Sequence, residues 1–237
     1  MKYLENLIPL LLKFKNQEEV INRAVEKTVG VIKKGGIIHI FGIGHFNTIC
    51  EEFFYRPGCL VCINPIFEPS TMLHNRNFKS TFLNKTEGCG KTILDKYDLR
   101  EDEILYILSY SGRDTIVIDV ALEAKKRGLF ITALVNEQNA NFPSKHSSGK
   151  NLRDVSDLTI LLPGPPEDTL VPIGDIEVGP VSNILASVVL NIIFTETAEE
   201  LERAGITPPV FKWPTSPKEE ESNERLIKIY KERIKSL

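Results

Sequence analysis

The sequence predicts an α/β protein: a three-layer αβα sandwich around a five-stranded, mainly parallel sheet, with two helices before it and a helical arm after it. Three observations point to this class. Short, near-continuous apolar runs such as GIIHIF and EILYILS alternate with segments of helical period, the pattern of strands covered on both faces by crossover helices. Glycine turns follow two of those runs, at Gly42-Ile43-Gly44 and at Ser111-Gly112. The composition is that of a globular chain: 237 residues, 42% hydrophobic and 26% charged. That supports a sizeable core and excludes a disordered, collagenous or coiled-coil protein.

The elements follow in order. Leu4, Leu7, Ile8, Leu11 and Leu12 repeat at helical spacing, with Pro9 as a kink point. Asn16 and Glu19 have the spacing of a capping box for a second helix, whose Val20, Ala24, Val25, Thr28 and Ile32 share one face before Gly35-Gly36 ends it. Strands are expected over Gly36–Phe41, Cys59–Ile63, Glu103–Ser109, Phe130–Val135 and Leu158–Leu162. Helices are expected over Phe46–Arg56, Gly90–Tyr97, Asp114–Arg127 and Val181–Glu199. Lys125, Lys126 and Arg127 followed by Gly128 form a normal helix stop. Residues 64–87 read as an irregular stretch longer than a plain connector, the kind that serves function. Pro208, Pro209, Pro214 and Pro217 mark an extended arm, after which helical periodicity resumes over Ser222–Ile234. The expected organisation is one domain over 1–206 and an arm with its helix over 207–237.

Composition also narrows the function classes. The net charge is −3, from 29 basic and 32 acidic residues without a basic tail, which argues against a nucleic-acid partner. No apolar run reaches the ~18–20 residues of a membrane span. The amino-terminal segment lacks a basic region and a small-residue cleavage site, so a cytoplasmic protein with no membrane partner is expected. Four cysteines do not make a disulfide scaffold at this length. Cys59 and Cys62, read as strand residues three apart, point to opposite faces, so no metal site is expected.

Two strand-end loops carry the chemistry. In the first, Gly42, Gly44, His45 and Asn47 form a turn between a strand and a helix, where free N–H groups and the helix dipole favour an anion. A dinucleotide fingerprint needs a third glycine near position 47 and an acid ending the next strand. Asn47 and Asn64 stand there, and no cofactor is expected. In the second, Ser109, Ser111, Gly112, Arg113, Asp114 and Thr115 set alternating hydroxyls and a glycine at a helix start, a donor set suited to a dianionic phosphate. Helix capping by Ser111 or Asp114 accounts for one of these residues but not for the cluster. His39 reads as a packed core histidine. His45, Glu68, His74 and His146 lie on loops beside the expected pocket.

The strand–SYSGRDT–helix unit resembles the Ser-x-Ser-Gly-x-Thr/Ser phosphate loop of the SIS (sugar isomerase) domain. Further segments between about residues 36 and 234 resemble the phosphoheptose-isomerase-like SIS proteins: GIGH, EEFFYRPG, INPIFEPSTMLH, KHSSGK, VGPVSN, PPVF and the terminal helix. The resemblance implies a flavodoxin-like connectivity and a sugar-phosphate partner. It also implies pairing into a homo-oligomer, dimer or tetramer. It places the phosphate on Ser109, Ser111 and Gly112, and a catalytic glutamate in the segment Glu51-Glu52-Phe53. Three departures stand out: Asp114 occupies the family's Ser/Thr position, Phe46 stands where phosphoheptose isomerases have a serine, and the late helix has no histidine. The expected activity is isomerisation of a phosphorylated sugar, with Glu52, Glu68 or Glu177 as base and His45 or His74 as proton shuttle. The alternatives are a binding module without turnover, and an amino-sugar phosphate lyase or etherase, whose loop the Ser-Gly-Arg run resembles.

Overall fold

Five apolar segments pair into one parallel sheet: β1 (Ile38–Gly42), β2 (Ile63–Ile66), β3 (Ile104–Leu108), β4 (Phe130–Asn136) and β5 (Leu158–Leu162). The computed structural model describes residues 1–75 and 85–237, so residues 76–84 of the expected irregular stretch lie outside the described residues. The spatial order is β2-β1-β3-β4-β5, the flavodoxin-like order. β1 and β3 are buried at every position, which is why they read as unbroken apolar runs.

The helices are α1 (Lys2–Leu12), α2 (Glu18–Lys33), α3 (Asn47–Glu52), α4 (Cys89–Leu94), α5 (Thr115–Lys126), α6 (Leu152–Val155), α7 (Ser182–Arg203) and α8 (Pro217–Tyr230). They divide the core in two. Residues of α2, α3 and α7 pack on the sheet face carrying Ile38, Ile40, Tyr106 and Leu108. Residues of α4, α5 and α6 pack on the face carrying Phe41, Leu105, Ile107 and Ala133. No helix among the described residues is long and apolar enough to cross a membrane.

Several elements differ from the sequence expectation, each for a physical reason. The strand expected at Cys59–Ile63 begins only at Ile63, because the backbone before it pairs with the C-terminal arm. Gly58 N donates to Phe211 O, Val61 N to Pro209 O, and Phe211 N to Cys59 O. The helix expected to reach Arg56 stops at Glu52. The Asn16–Glu19 capping box does not form; the residue preceding α2 is Gln17, with no side-chain cap. Gln17 instead completes the open edge of β5, donating from Nε2 to Leu161 O at 2.7 Å and accepting from Leu161 N at 2.8 Å. An unexpected antiparallel hairpin, β6 (Thr169–Ile173) and β7 (Ile176–Pro180), lies outside the main sheet. Its two-residue Gly174-Asp175 turn was a readable hairpin signal. α1 packs on this hairpin through Tyr3 Oη donating to Pro180 O and Asn6 Nδ2 to Leu170 O.

His39 is a core residue, as its strand position suggested, but it is tied into a charged network at the N-terminal end of the sheet. Asn64 Nδ2 donates to His39 Nδ1 at 3.0 Å, so the ring's hydrogen sits on Nε2, 3.0 Å from Glu103 Oε2. Burial lowers the His39 pKa, so this contact joins a neutral imidazole to a carboxylate. Arg233, just after α8, supplies the countercharge: Nη1 and Nη2 donate to Glu103 at 2.5 and 3.0 Å, and Nε donates to Asp98 at 2.9 Å. Burial alone would raise the Glu103 pKa, but the bonds from His39 and Arg233 outweigh it and hold the carboxyl at about 2, against an ordinary 4.5.

A carboxyl with a depressed folded-state pKa gives stability that is present above 4.5 and lost as the pH falls toward 2. The size is on the order of 3 kcal/mol. His39 acts in the same direction, because its buried neutral ring resists the proton that the unfolded chain takes up below 6.5. The urea midpoint is therefore expected to fall from about pH 6.5 downward. Arg233→Met should cost about 3 kcal/mol at neutral pH by leaving Glu103 without its countercharge, and should shrink the loss between pH 4.5 and 2. An unchanged midpoint in Arg233→Met would show that the network does not hold the C-terminal segment.

Candidate functional site

The chain runs to opposite sides of β1, with β2 on one flank and β3 on the other. Loops leaving the C-terminal ends of β1 and β3 therefore diverge, and a crevice opens between them, the usual ligand position in such sheets. A cleft of about 360 Å³ lies there. Ile43, Gly44, His45 and Phe46 line it from the first loop, Ser109, Tyr110, Ser111 and Asp114 from the second, and Leu73, Asn139, Pro166 and Asp168 complete it. A larger cavity, about 580 Å³, lies between α2 and α7. It is lined by Glu26, Glu196, Glu199 and Glu200 with a single arginine, a poor set for an anion. Chemistry selects the smaller cleft.

Two glycines shape the walls. A β-carbon on Gly42 would stand 2.7 Å from Phe46 Cβ and 3.0 Å from Phe46 O, so only glycine allows the first loop to fold back so tightly. Gly112 has φ +62°, and an added carbon would also meet Val135 Cγ1 at 3.1 Å. That left-handed turn lets Gly112 N donate to both Ser109 O and Ser109 Oγ. Ser111 Oγ accepts from Arg113 N at 3.2 Å and donates to Asp114 Oδ2 at 2.7 Å. Asp114 precedes α5 without capping it by its side chain. Its other oxygen accepts from Lys145 Nζ at 2.9 Å, which offsets the charge that would repel an anion. Thr115 Oγ1 lies 3.4 Å from Thr86 O, away from the cleft lining. Arg113 turns outward, donating to Pro143 O and lying over the Phe142 ring.

His45 is exposed on the opposite wall, its ring 4.7 Å from that of Phe46. Partial burial lowers its pKa and Asp168 works against that shift, so the ring is neutral near pH 7. Nε2 lies 3.2 Å from Ser182 Oγ, and Ser182 Oγ donates to Asp168 Oδ2 at 2.8 Å. Asn183 Nδ2 donates to the His45 carbonyl at 3.1 Å. Asn47 stays behind the wall, its Nδ2 donating to Gly44 O and Thr71 O.

The structure does not bring the three glutamates to the cleft. Glu52 ends α3 in an ion pair with Arg56. Glu68 accepts from Lys96 and from Ser70, and these bonds outweigh burial and lower its pKa, which weakens it as a base. Glu177, on β7, accepts from Thr169 Oγ1 at 2.7 Å. His74 is exposed next to the lining residue Leu73. His146 binds Asp119 Oδ1 and Ser148 Oγ at 3.0 and 2.8 Å, tying its loop to α5. Burial pushes the Cys62 thiol up to about 12 and also raises that of Cys59, so neither is a ready thiolate ligand.

Sequence reasoning missed Asp168, Ser182, Tyr110 and Asn139. The readable signal for Asp168 was its place in the polar Gly164–Asp168 turn after β5, at the same end of the sheet as the two loops. Ser182 lay in plain view in VGPVSN, but its link to His45 spans 137 positions.

Residues 2–136 match the SIS domain. A UPF0309 protein of Caldanaerobacter subterraneus is 36% identical over 242 residues, covering 99% of this chain and 98% of the relative. Another, of Thermoanaerobacter pseudethanolicus, is 39% identical over 210 residues, covering 86% and 85%. The chain belongs to the SIS-domain family, and within it to the proteins called UPF0309. Among solved structures, a phosphoheptose isomerase from Francisella tularensis is similar at TM-score 0.54 and 16% identity, covering 85% of this chain and 95% of that one. The Vibrio vulnificus NanR protein, solved with ManNAc-6P, is similar at TM-score 0.52 and 14% identity, covering 96% and 67%. These two likenesses show the fold.

The turn at Gly112 gives a stability prediction. Gly112→Ala should cost at least about 1–2 kcal/mol, from the positive φ and the Val135 contact. Gly149→Ala isolates the backbone share, since φ is +70° there but no heavy atom lies within 4 Å of the added carbon. Urea melts of the two variants should rank Gly112→Ala as the more destabilised; equal losses would remove the packing contribution.

Proposed function

We propose that the cleft binds a phosphorylated sugar and that His45 moves a proton along its carbon chain, an isomerisation of the aldose–ketose type. The observation that carries this reading is that Ser109, Ser111 and Asp114 of the second loop and His45 of the first line one cleft at the point where the strand order reverses. The phosphate would rest at the start of α5, where the Ser111 hydroxyl turns from Asp114 to donate to it and the helix dipole adds favourable charge. In the reaction a C–H bond next to the carbonyl breaks, its electron pair forms the enediol, and neutral His45 holds the proton. His45 then returns it to the neighbouring carbon while the hydroxyl proton passes between the two oxygens. No oxidant or reductant is needed. The second reading, binding without turnover, is supported by the absence of any glutamate from the cleft lining among the described residues.

Ser111→Ala removes one hydrogen bond to a charged group, worth about 1.5–3 kcal/mol, or a ten- to hundredfold loss of sugar-phosphate affinity. The unphosphorylated sugar should bind variant and parent equally poorly. If Ser111 serves only the local turn, affinity stays constant while melting temperature drops, and the phosphate assignment fails. Turnover is tested by incubating the protein with ketose phosphates in deuterated water. Deuterium entering the carbon next to the carbonyl supports isomerisation, and binding without any exchange supports the second reading.

An exposed apolar face supports the homo-oligomer implied by the family resemblance. Leu4, Ile8 and Leu12 are exposed along one side of α1, and Ile173 and Ile176 are exposed on the hairpin it packs against. We read this apolar face as covered by a second copy of the chain. Sedimentation should show a dimer or larger assembly at micromolar concentration, dissociated by Ile8→Lys; a monomeric parent would remove the claim.

A further inference from the structure

We propose that Asp168 and Ser182 are positioning residues that set the tautomer of His45, keeping a hydrogen on Nε2 and leaving Nδ1 as the atom that takes up a proton. The functional importance of this arrangement rests on the reading of His45 as the proton-moving group, but the arrangement itself can be tested without any substrate.

The argument is a count of hydrogens. Asp168 Oδ1 accepts from the backbone N–H of Val181 at 3.0 Å and of Ser182 at 2.6 Å. Those donors cannot accept in return, so the orientation of the carboxylate is fixed by the start of α7. Its Oδ2 then accepts the hydroxyl of Ser182 at 2.8 Å. A serine hydroxyl has one hydrogen, and here it is used on Asp168. What Ser182 turns toward His45 is a lone pair. Nε2 stands 3.2 Å from that oxygen, and two lone pairs do not make a hydrogen bond, so Nε2 must carry the hydrogen. A neutral imidazole has only one N–H, which leaves Nδ1 bare. When Nδ1 takes a proton, the new positive charge is stabilised through Nε2–H and Ser182 by the Asp168 carboxylate. No proton has to travel down the chain.

The backbone supports the same purpose. Asp168 is one of three non-glycine residues with positive φ among the described residues, at +67°. This is a conformation that aspartate and asparagine tolerate better than most side chains. Ser182 is buried, so water does not compete for its hydroxyl. Asn183 holds the His45 carbonyl from the next position of α7. Ring, relay and acceptor are thus each anchored to the start of one helix.

The test uses the full chain labelled with ¹⁵N-histidine, with His45 assigned by its loss in His45→Gln and its two ring nitrogens read from long-range proton–nitrogen spectra near pH 8. In the parent, Nε2 should be protonated and Nδ1 bare. Asp168→Asn should invert the tautomer. The asparagine oxygen keeps accepting the two backbone N–H groups, its amide nitrogen donates to Ser182, and the serine hydrogen turns to Nε2, which forces the histidine hydrogen onto Nδ1. Ser182→Ala should remove the lock and leave both tautomers populated. Asparagine accepts the same backbone angle and the same cap, so the fold should survive; amide spectra check this. A parent with its hydrogen on Nδ1, or a folded Asp168→Asn or Ser182→Ala with the parental tautomer, overturns the proposal. If Asp168→Asn fails to fold, the parent and Ser182→Ala spectra still decide it. A parent that shows the Nε2–H tautomer but binds no sugar phosphate leaves the relay standing and removes the functional reading instead.

Discussion

The reversal of strand order at β1 is the constraint on which the rest of this site depends. A parallel sheet can bury both faces only if its crossovers leave on opposite sides somewhere, and where they do the loops cannot close over the strand ends. Here that point falls between β1 and β3. The two loops that border the gap are also the two with glycine turns, and they bring His45, Ser109, Ser111 and Asp114 to the opening. β4 and β5 send Asn139, Pro166 and Asp168 to the same end. The cleft is a consequence of topology before it is a consequence of chemistry.

The opposite end of the sheet is built on a different principle. Glu103 is nearly inaccessible and would be costly there alone. His39 and Arg233 make it tolerable, one by a neutral hydrogen bond and the other by charge. The C-terminal segment is therefore an electrostatic part of the fold as well as an appended arm. Its proline-rich portion adds backbone pairing to residues 58–61, and α8 then carries Arg233 back to the sheet. The two ends divide the labour: one satisfies a buried charge and locks the chain, the other leaves polar groups open.

The charges around the cleft are arranged so that a carboxylate at Asp114 need not exclude an anion. Lys145 pairs with it from the loop after β4, and Ser111 donates its hydroxyl to the other carboxylate oxygen. The same economy is visible on the other wall, where Asp168 is engaged by the start of α7 and by Ser182. Of the histidines, His45 is the one that lines the cleft and is neutral near pH 7, held from behind by its carbonyl and by Nε2. His146, also on a loop, is committed to Asp119 and Ser148.

The sequence by itself determined the fold class, the strand–helix alternation and the glycine turn that leads into α5, because each depends on local period and local turn chemistry. Apolar runs mark strands buried on both faces, and Ser-x-Ser-Gly before a helical period marks a tight turn at a helix start wherever the helix ends up. It also placed His39 in the core and His45 at a strand end. Tertiary structure decided what pairs with what. Asn16 and Glu19 had the spacing of a capping box that does not form, while Gln17 beside them satisfies β5, 144 positions away. Residues 59–62 were apolar enough for a strand, but their backbone is taken by the arm. Glu52, Glu68 and Glu177 have the right chemistry for a base, yet their partners lie elsewhere, whereas Asp168 carries no motif, and it and Ser182 meet His45 only because β7 feeds α7 back toward β1. Local propensity reads neighbours along the chain; hydrogen bonds and charges choose neighbours in space.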